Sequence, residues 1–298
     1  MEIVLAEKMG FCFGVKRTVD IAMKMIENKE KNVITYGPII HNEDLTKYLS
    51  ENGISYVNNV QEIDLTSKQD LPRKVIIRTH GAQRKIIEEL KIKGLEVIDG
   101  TCPYVMRVHR IVEKLSKEGY PILIIGNKDH PEIIGVTGYI YGDVPYFVVK
   151  NLEEVKLLQK EGKFDKIKKL GIVTQTTEKI EKVREILNYL IEIIPEVRYF
   201  KTICYATDEN QRAIHKLAPN VDIVIVIGGK HSSNTIKLYE IAKSYCPRTY
   251  HIQNDKDLKI EWFRKEDKVG ITAGASTPDW IIQKVVQKIK EFDEILQR

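Results

Sequence analysis

The chain has 298 residues, 43% of them hydrophobic and 30% charged, enough to build two or three compact α/β-sized cores. Its net charge of +5 is spread over intermixed Lys and Asp/Glu, so no basic block forms the stripe that nucleic-acid binding needs. No apolar run approaches the ~18 residues of a membrane span, the first residues lack a signal-peptide pattern, and four sparse cysteines exclude a disulfide scaffold, which together lead us to expect a soluble cytoplasmic protein.

The first predicted strand, IVLAE, passes through a short turn to Cys12 and then to a helical period carried by Val15, Val19, Ala22 and Ile26. A second strand, VITYGPIIHN, ends at His41. A weaker strand ends at Asn59, and KVIIRTHGA ends at His80. The order then begins again. LEVIDGT leads to Cys102 and to a helix with Val105, Val108, Val112 and Leu115 on one face; PILIIGNKDHPE ends at His130; a weaker strand ends at Asn151; and KLGIVTQTTE ends at Thr176. A third pass runs from VRYFKTI to Cys204, then to IVIVIGGKHSSN with Ser232, to Asn254, and to KVGITAGASTP with Ser276.

The spacing supports a repeat. His41, His130 and Ser232 follow their cysteines by 29, 28 and 28 residues, and His80, Thr176 and Ser276 follow theirs by 68, 74 and 72. A period near one hundred residues means repeated domains and not a solenoid. Alternating strands and helices imply parallel sheets, which bind ligands beyond the carboxyl ends of their strands. We therefore expect three α/β domains, over residues 1–95, 96–195 and 196–298, with the Cys, His, Thr and Ser tips at site-forming edges. A threefold arrangement with those edges inward would bring the three cysteines to one centre.

Three soft thiolates suit zinc or an iron-sulfur cluster, and spacing alone does not separate them. The absence of a fourth paired cysteine favours a 4Fe-4S cluster with one open iron site. The tips His41, His80, His130, Ser232, Ser233, Asn234 and Ser276 are neutral or cationic donors, suited to a phosphate or diphosphate. Glu132, two residues past His130, is the one carboxylate among them; it reads equally well as a proton donor or as a first-turn acid of a helix begun at Pro131. Cys246 lies off the matched positions and reads as a core residue. Two alternatives stay open: a zinc-dependent phosphate-ester hydrolase, and a non-catalytic protein that binds a phosphorylated metabolite.

The segments GFCFGVKR (10–17), GPIIHN (37–42), RTHG (78–81), TCPYV (101–105), HPE (130–132), TQTT (174–177), TICYAT (202–207), GGKHSSN (228–234) and AGAS (273–276) run in order across nearly the whole chain. Together they resemble the 4-hydroxy-3-methylbut-2-enyl diphosphate reductase (IspH/LytB) family. The resemblance implies a pseudo-threefold cloverleaf of three α/β domains around a central 4Fe-4S cluster. It also implies reductive removal of a hydroxyl from an allylic diphosphate, at the last step of the non-mevalonate (MEP/DOXP) route to isoprenoid precursors. By motif, Cys12, Cys102 and Cys204 would be the cluster ligands. His41, His80, His130, Ser232, Ser233, Asn234 and Ser276 would hold the diphosphate. Glu132 would donate a proton through Thr176, which also touches substrate, and a ferredoxin or flavodoxin would supply electrons. Gly100, His231 and Asp208 depart from the family pattern, and we expect them to tune packing or local charge.

Overall fold

The computed structural model describes residues 1–40, 42–63 and 74–297, so His41 lies outside the described residues. In chain order, β1 (Glu2–Leu5) leads to α1 (Phe13–Glu27), followed by β2 (Val33–Tyr36), α2 (Glu43–Glu51), β3 (Ser55–Val57), β4 (Lys74–Ile77) and α3 (Arg84–Ile92). The second pass is β5 (Glu96–Asp99), α4 (Pro103–Lys117), β6 (Ile122–Ile125), α5 (Pro131–Thr137), β7 (Tyr146–Val149), α6 (Leu152–Lys160), β8 (Lys169–Thr174) and α7 (Ile180–Ile193). The third is β9 (Glu196–Tyr199), α8 (Tyr205–Leu217), β10 (Ile223–Ile227), α9 (Ser233–Tyr245), β11 (Thr249–Ile252), β12 (Lys268–Ala273) and α10 (Asp279–Gln297).

Among the described residues the strands form three four-stranded sheets, ordered β3-β2-β4-β5, β7-β6-β8-β9 and β11-β10-β12-β1, and every pairing is parallel. This is the expected α/β class. The strand that precedes each cysteine lies at an edge and closes the sheet of the repeat before it: β5 registers Asp99 against Ile77 of β4, and β9 registers Tyr199 against Ile172 of β8. The cycle closes with β1, whose Ile3 lies against Val269 of β12.

Two compact units result. One contains Met1–Lys16, Ile40–Tyr48 and Tyr205–Arg298, and the other Arg17–Ile39 and Leu49–Cys204. In the first, β10 is the continuous apolar run IVIVI because both its faces are covered. Successive side chains point to opposite faces, so Ile223, Ile225 and Ile227 pack with Ile282, Val285 and Ile289 of α10, while Val224 and Val226 pack with Ile214 of α8 and Leu238 of α9. The second unit repeats the logic in β6: Leu123 and Ile125 meet Val183, Ile186 and Leu190 of α7, whereas Ile122 and Ile124 meet Val108, Val112 and Leu115 of α4. Each such buried aliphatic contributes about 1.5–3 kcal/mol.

The expected helical stripes hold, with one shift. Val15, Val19 and Ala22 are buried, but the last turn of α1 buries Met25 and leaves Ile26 half-buried. Asn151 and Asn254, at the ends of the weaker strands, cap the following helical turns by accepting from the Glu154 and Lys256 N–H groups. Cys246 is buried in the core, as its position predicted. Among the described residues, no helix is long and apolar enough to cross a membrane.

Candidate active site

In the larger unit the site is built at the carboxyl ends of β4, β6 and β8. The β4 strand ends at Ile77, and the turn beyond it carries Thr79 and His80. The Thr79 carbonyl accepts from the Cys102 N–H at 2.9 Å, fixing Cys102 as the N-cap residue of α4, with Pro103 in the first turn, where a missing N–H costs nothing. His80 faces His130 edge-on, with ring centroids 5.2 Å apart.

His130 is the N-cap of α5, and its Nδ1 accepts from the Glu132 N–H at 3.1 Å. An accepting Nδ1 carries no proton, so a neutral ring holds its proton on Nε2. Glu132 is buried, at 2% exposure. Its two oxygens accept from Thr176, Oε1 from the N–H at 2.6 Å and Oε2 from the hydroxyl at 2.7 Å. Glu132 lies in the first turn of α5, as the HPE start predicts, and its burial adds these two contacts. The Thr176 carbonyl in turn accepts from the Cys204 N–H at 2.9 Å. One chain of contacts thus runs from Cys102 through Thr79, His80, His130, Glu132 and Thr176 to Cys204.

Two further residues hold this chain, and neither stood out in the motifs. Gln175, fully buried, accepts from the Asn127 N–H at 3.1 Å and so ties the turn before His130 to the end of β8. The Thr202 hydroxyl accepts from the Thr174 N–H at 2.7 Å and donates to its carbonyl at 2.9 Å, pinning the approach to Cys204. Their signal was present, since both lie inside the quoted TQTT and TICYAT segments, but a buried polar side chain cannot be told from an exposed one by type alone.

In the smaller unit the same backbone device recurs. The Cys12 N–H donates to the Ala275 carbonyl at 3.2 Å, one residue before Ser276. Burial pushes the Cys12 thiol pKa up, opposed by the Val15 and Gly14 N–H groups at the start of α1; Val15 N lies 3.5 Å from Sγ. Ser276 Oγ donates to Ser232 Oγ at 3.4 Å, and Ser232 caps α9. Asn234, in the first turn of that helix, is buried with no partner for its Nδ2 or Oδ1. A buried amide unpaired on both sides can take up an added polar group. Ser233 is half-exposed beside it, and His231 is exposed in the loop before the cap.

All four cysteines are thiols, and Cys12, Cys102 and Cys204 are half-buried at helix starts. Among the described residues no three His, Cys, Asp or Glu side chains gather closely enough to hold a single metal ion.

The chain matches other proteins along nearly its whole length. The reductase of Campylobacter lari named 4-hydroxy-3-methylbut-2-enyl diphosphate reductase is 44% identical over 298 residues, covering 99% of this chain and all of its own. That of Aquifex aeolicus is 43% identical over 297 residues, covering 99% and 98%. Among solved structures, one of the (E)-4-hydroxy-3-methyl-but-2-enyl diphosphate reductase described as the terminal enzyme of the non-mevalonate pathway superposes with a TM-score of 0.70, at 43% identity over 97% of this chain and 99% of its own. The Plasmodium falciparum reductase superposes with a TM-score of 0.85, at 29% identity over 98% and 89%. The model of the family described as LytB protein matches residues 3–290, and the chain belongs to that family.

Proposed function

We propose that this chain reduces (E)-4-hydroxy-3-methylbut-2-enyl diphosphate to isopentenyl and dimethylallyl diphosphates, the last step of the non-mevalonate isoprenoid precursor pathway. The observation that carries the reading is the contact chain from Cys102 to Cys204, because it sets a buried acid and a hydroxyl relay between two thiols of a family whose members are named for this reaction. Overall, R–OH takes two electrons and two protons and releases RH and water.

Cys12, Cys102 and Cys204 would hold the cofactor. Soft thiolates at helix starts fit an iron-sulfur cluster, whose ligands sit on separate irons and need not share one ion's coordination sphere. When bound, a 4Fe-4S cluster with one open iron would supply the electrons and a Lewis acid for the hydroxyl.

The remaining work falls to the protein's own groups. His80 and His130, with Ser232, Ser233, Asn234, Ser276 and His41, bind the diphosphate, and the empty Asn234 amide supports an anionic ligand there. The His130 Nε2–H is aimed by the Glu132 N–H at its other nitrogen. Glu132 holds the proton that leaves with the substrate hydroxyl, and Thr176, within 2.7 Å of its Oε2, relays it because a hydroxyl both accepts and donates. Burial of Glu132 keeps water from competing for that proton. A ferredoxin or flavodoxin in the cytoplasm would deliver the electrons.

Metal and sulfide analysis of anaerobically purified protein tests the reading. The reductase reading expects iron and sulfide in equal amounts, both lost in Cys102→Ser. Stoichiometric zinc without iron or sulfide would overturn the reductase reading.

A further inference from the structure

The loop that carries Ser232, Ser233 and Asn234 begins at Gly228, immediately after β10. Gly228 has φ +152°, a conformation side-chain-bearing residues rarely adopt, and a Cβ there would lie 2.5 Å from Thr235 Oγ1. Its N–H still bonds to the Ile252 carbonyl of β11 at 2.8 Å, but its own carbonyl lies 2.9 Å from Nε2 of His251. A carbonyl only accepts, so the contact requires the His251 proton on Nε2.

His251 is half-buried on β11 beside Tyr239 of α9, with ring centroids 5.9 Å apart. The same stretch holds the loop twice more: Lys230 Nζ donates to the His251 carbonyl at 3.1 Å, and the Lys230 N–H to Gln253 Oε1 at 3.4 Å. From Gly229 the order passes on directly, since its carbonyl accepts from the Ser232 N–H at 3.0 Å. Without an anchor, two consecutive glycines let this peptide plane rotate at little cost. With one, the Ser232 cap and the buried Asn234 are set before a ligand arrives.

We propose that His251 is a positioning residue for the anion-binding loop, acting through its Nε2–H bond to the Gly228 carbonyl and touching neither substrate nor cofactor. The proposal rests on the reading of residues 232–234 as diphosphate ligands. The contacts assign it a defined effect: losing one neutral hydrogen bond that preorganises the loop weakens anion binding about fivefold.

The test uses cluster-loaded protein and inorganic diphosphate, with affinity measured by calorimetry for wild type, His251→Leu, His251→Gln and Ser232→Ala, and thermal denaturation run beside it. We expect His251→Leu to bind diphosphate about fivefold more weakly. Its KM for substrate should rise in step while kcat changes less, and His251→Gln, which keeps an N–H donor, should recover most of the loss at equal thermal stability. Weak binding by Ser232→Ala beside unchanged binding by His251→Leu would overturn the role of His251 and leave the loop reading standing. Equal losses in His251→Leu and His251→Gln would overturn the hydrogen-bond mechanism. Unchanged binding by Ser232→Ala would overturn the loop reading itself, and with it this inference.

Discussion

Replacing Glu132 separates its proposed role as proton donor from its structural one. Its oxygens accept two hydrogen bonds from Thr176, one from N–H and one from the hydroxyl, at 2.6 and 2.7 Å, and the whole side chain is buried. Glu132→Ala therefore strands two buried donors, each costing about 1–3 kcal/mol, so a total near 3 kcal/mol is expected in chemical denaturation. Glu132→Gln behaves differently. Its carbonyl oxygen can still accept from the Thr176 N–H and its NH₂ can donate to the Thr176 oxygen, so stability should change by less than about 1 kcal/mol. The proton, however, is gone, and a general acid is worth about 10²–10⁴ in rate. Anaerobic steady-state turnover with an artificial electron donor, beside direct substrate binding, reads both effects. Turnover of the Gln variant at the wild-type rate would refute the assignment of Glu132 as proton donor.

Asn234→Leu should stabilise the ligand-free protein by about 1–2 kcal/mol, since it removes a buried amide with no partner, and should weaken diphosphate binding; a fall in stability would mean the amide is satisfied by the protein itself. Gly100→Ala should destabilise by about 1–3 kcal/mol, because a Cβ there would sit 2.3 Å from the Ile77 carbonyl and 2.6 Å from Thr18 Cγ2; wild-type stability in denaturant would show that this contact relaxes freely. Burial, opposed by Asp99, holds the His109 imidazole down at about 4 from an ordinary 6.5. With the folded pKa depressed, the unfolded chain takes up the proton first. Stability should then fall by roughly 1.4 kcal/mol per pH unit from about 6.5 toward 4 and level off below. His109→Phe should flatten that window in denaturation at pH 7, 6 and 5, and an unchanged slope would exclude His109 as its source.

Much of this was legible in the chain because the physics behind it is local. The runs ILII and IVIVI announce strands buried on both faces, and a cysteine between a strand and a helical period marks a carboxyl-edge turn. What the residues could not announce is pairing at a distance. Nothing in LEVID states that β5 closes the sheet of β4, because edge strands of similar composition compete equally for several partners. The Glu132–Thr176 pair spans 44 residues, and only folding shows that the first-turn acid HPE describes also meets this distant threonine. Of the departures from the family pattern, Gly100 gains a packing reason, while Asp208 pairs with Arg212 at 2.8 Å along α8.

Reductive dehydroxylation by this chain is read out by an anaerobic assay of the iron-loaded protein with (E)-4-hydroxy-3-methylbut-2-enyl diphosphate and a reduced artificial donor. Isopentenyl and dimethylallyl diphosphates are the expected products, with their formation abolished in Cys102→Ser. Iron-loaded protein that binds the substrate and, under reducing conditions, returns it unchanged would contradict the reductase reading.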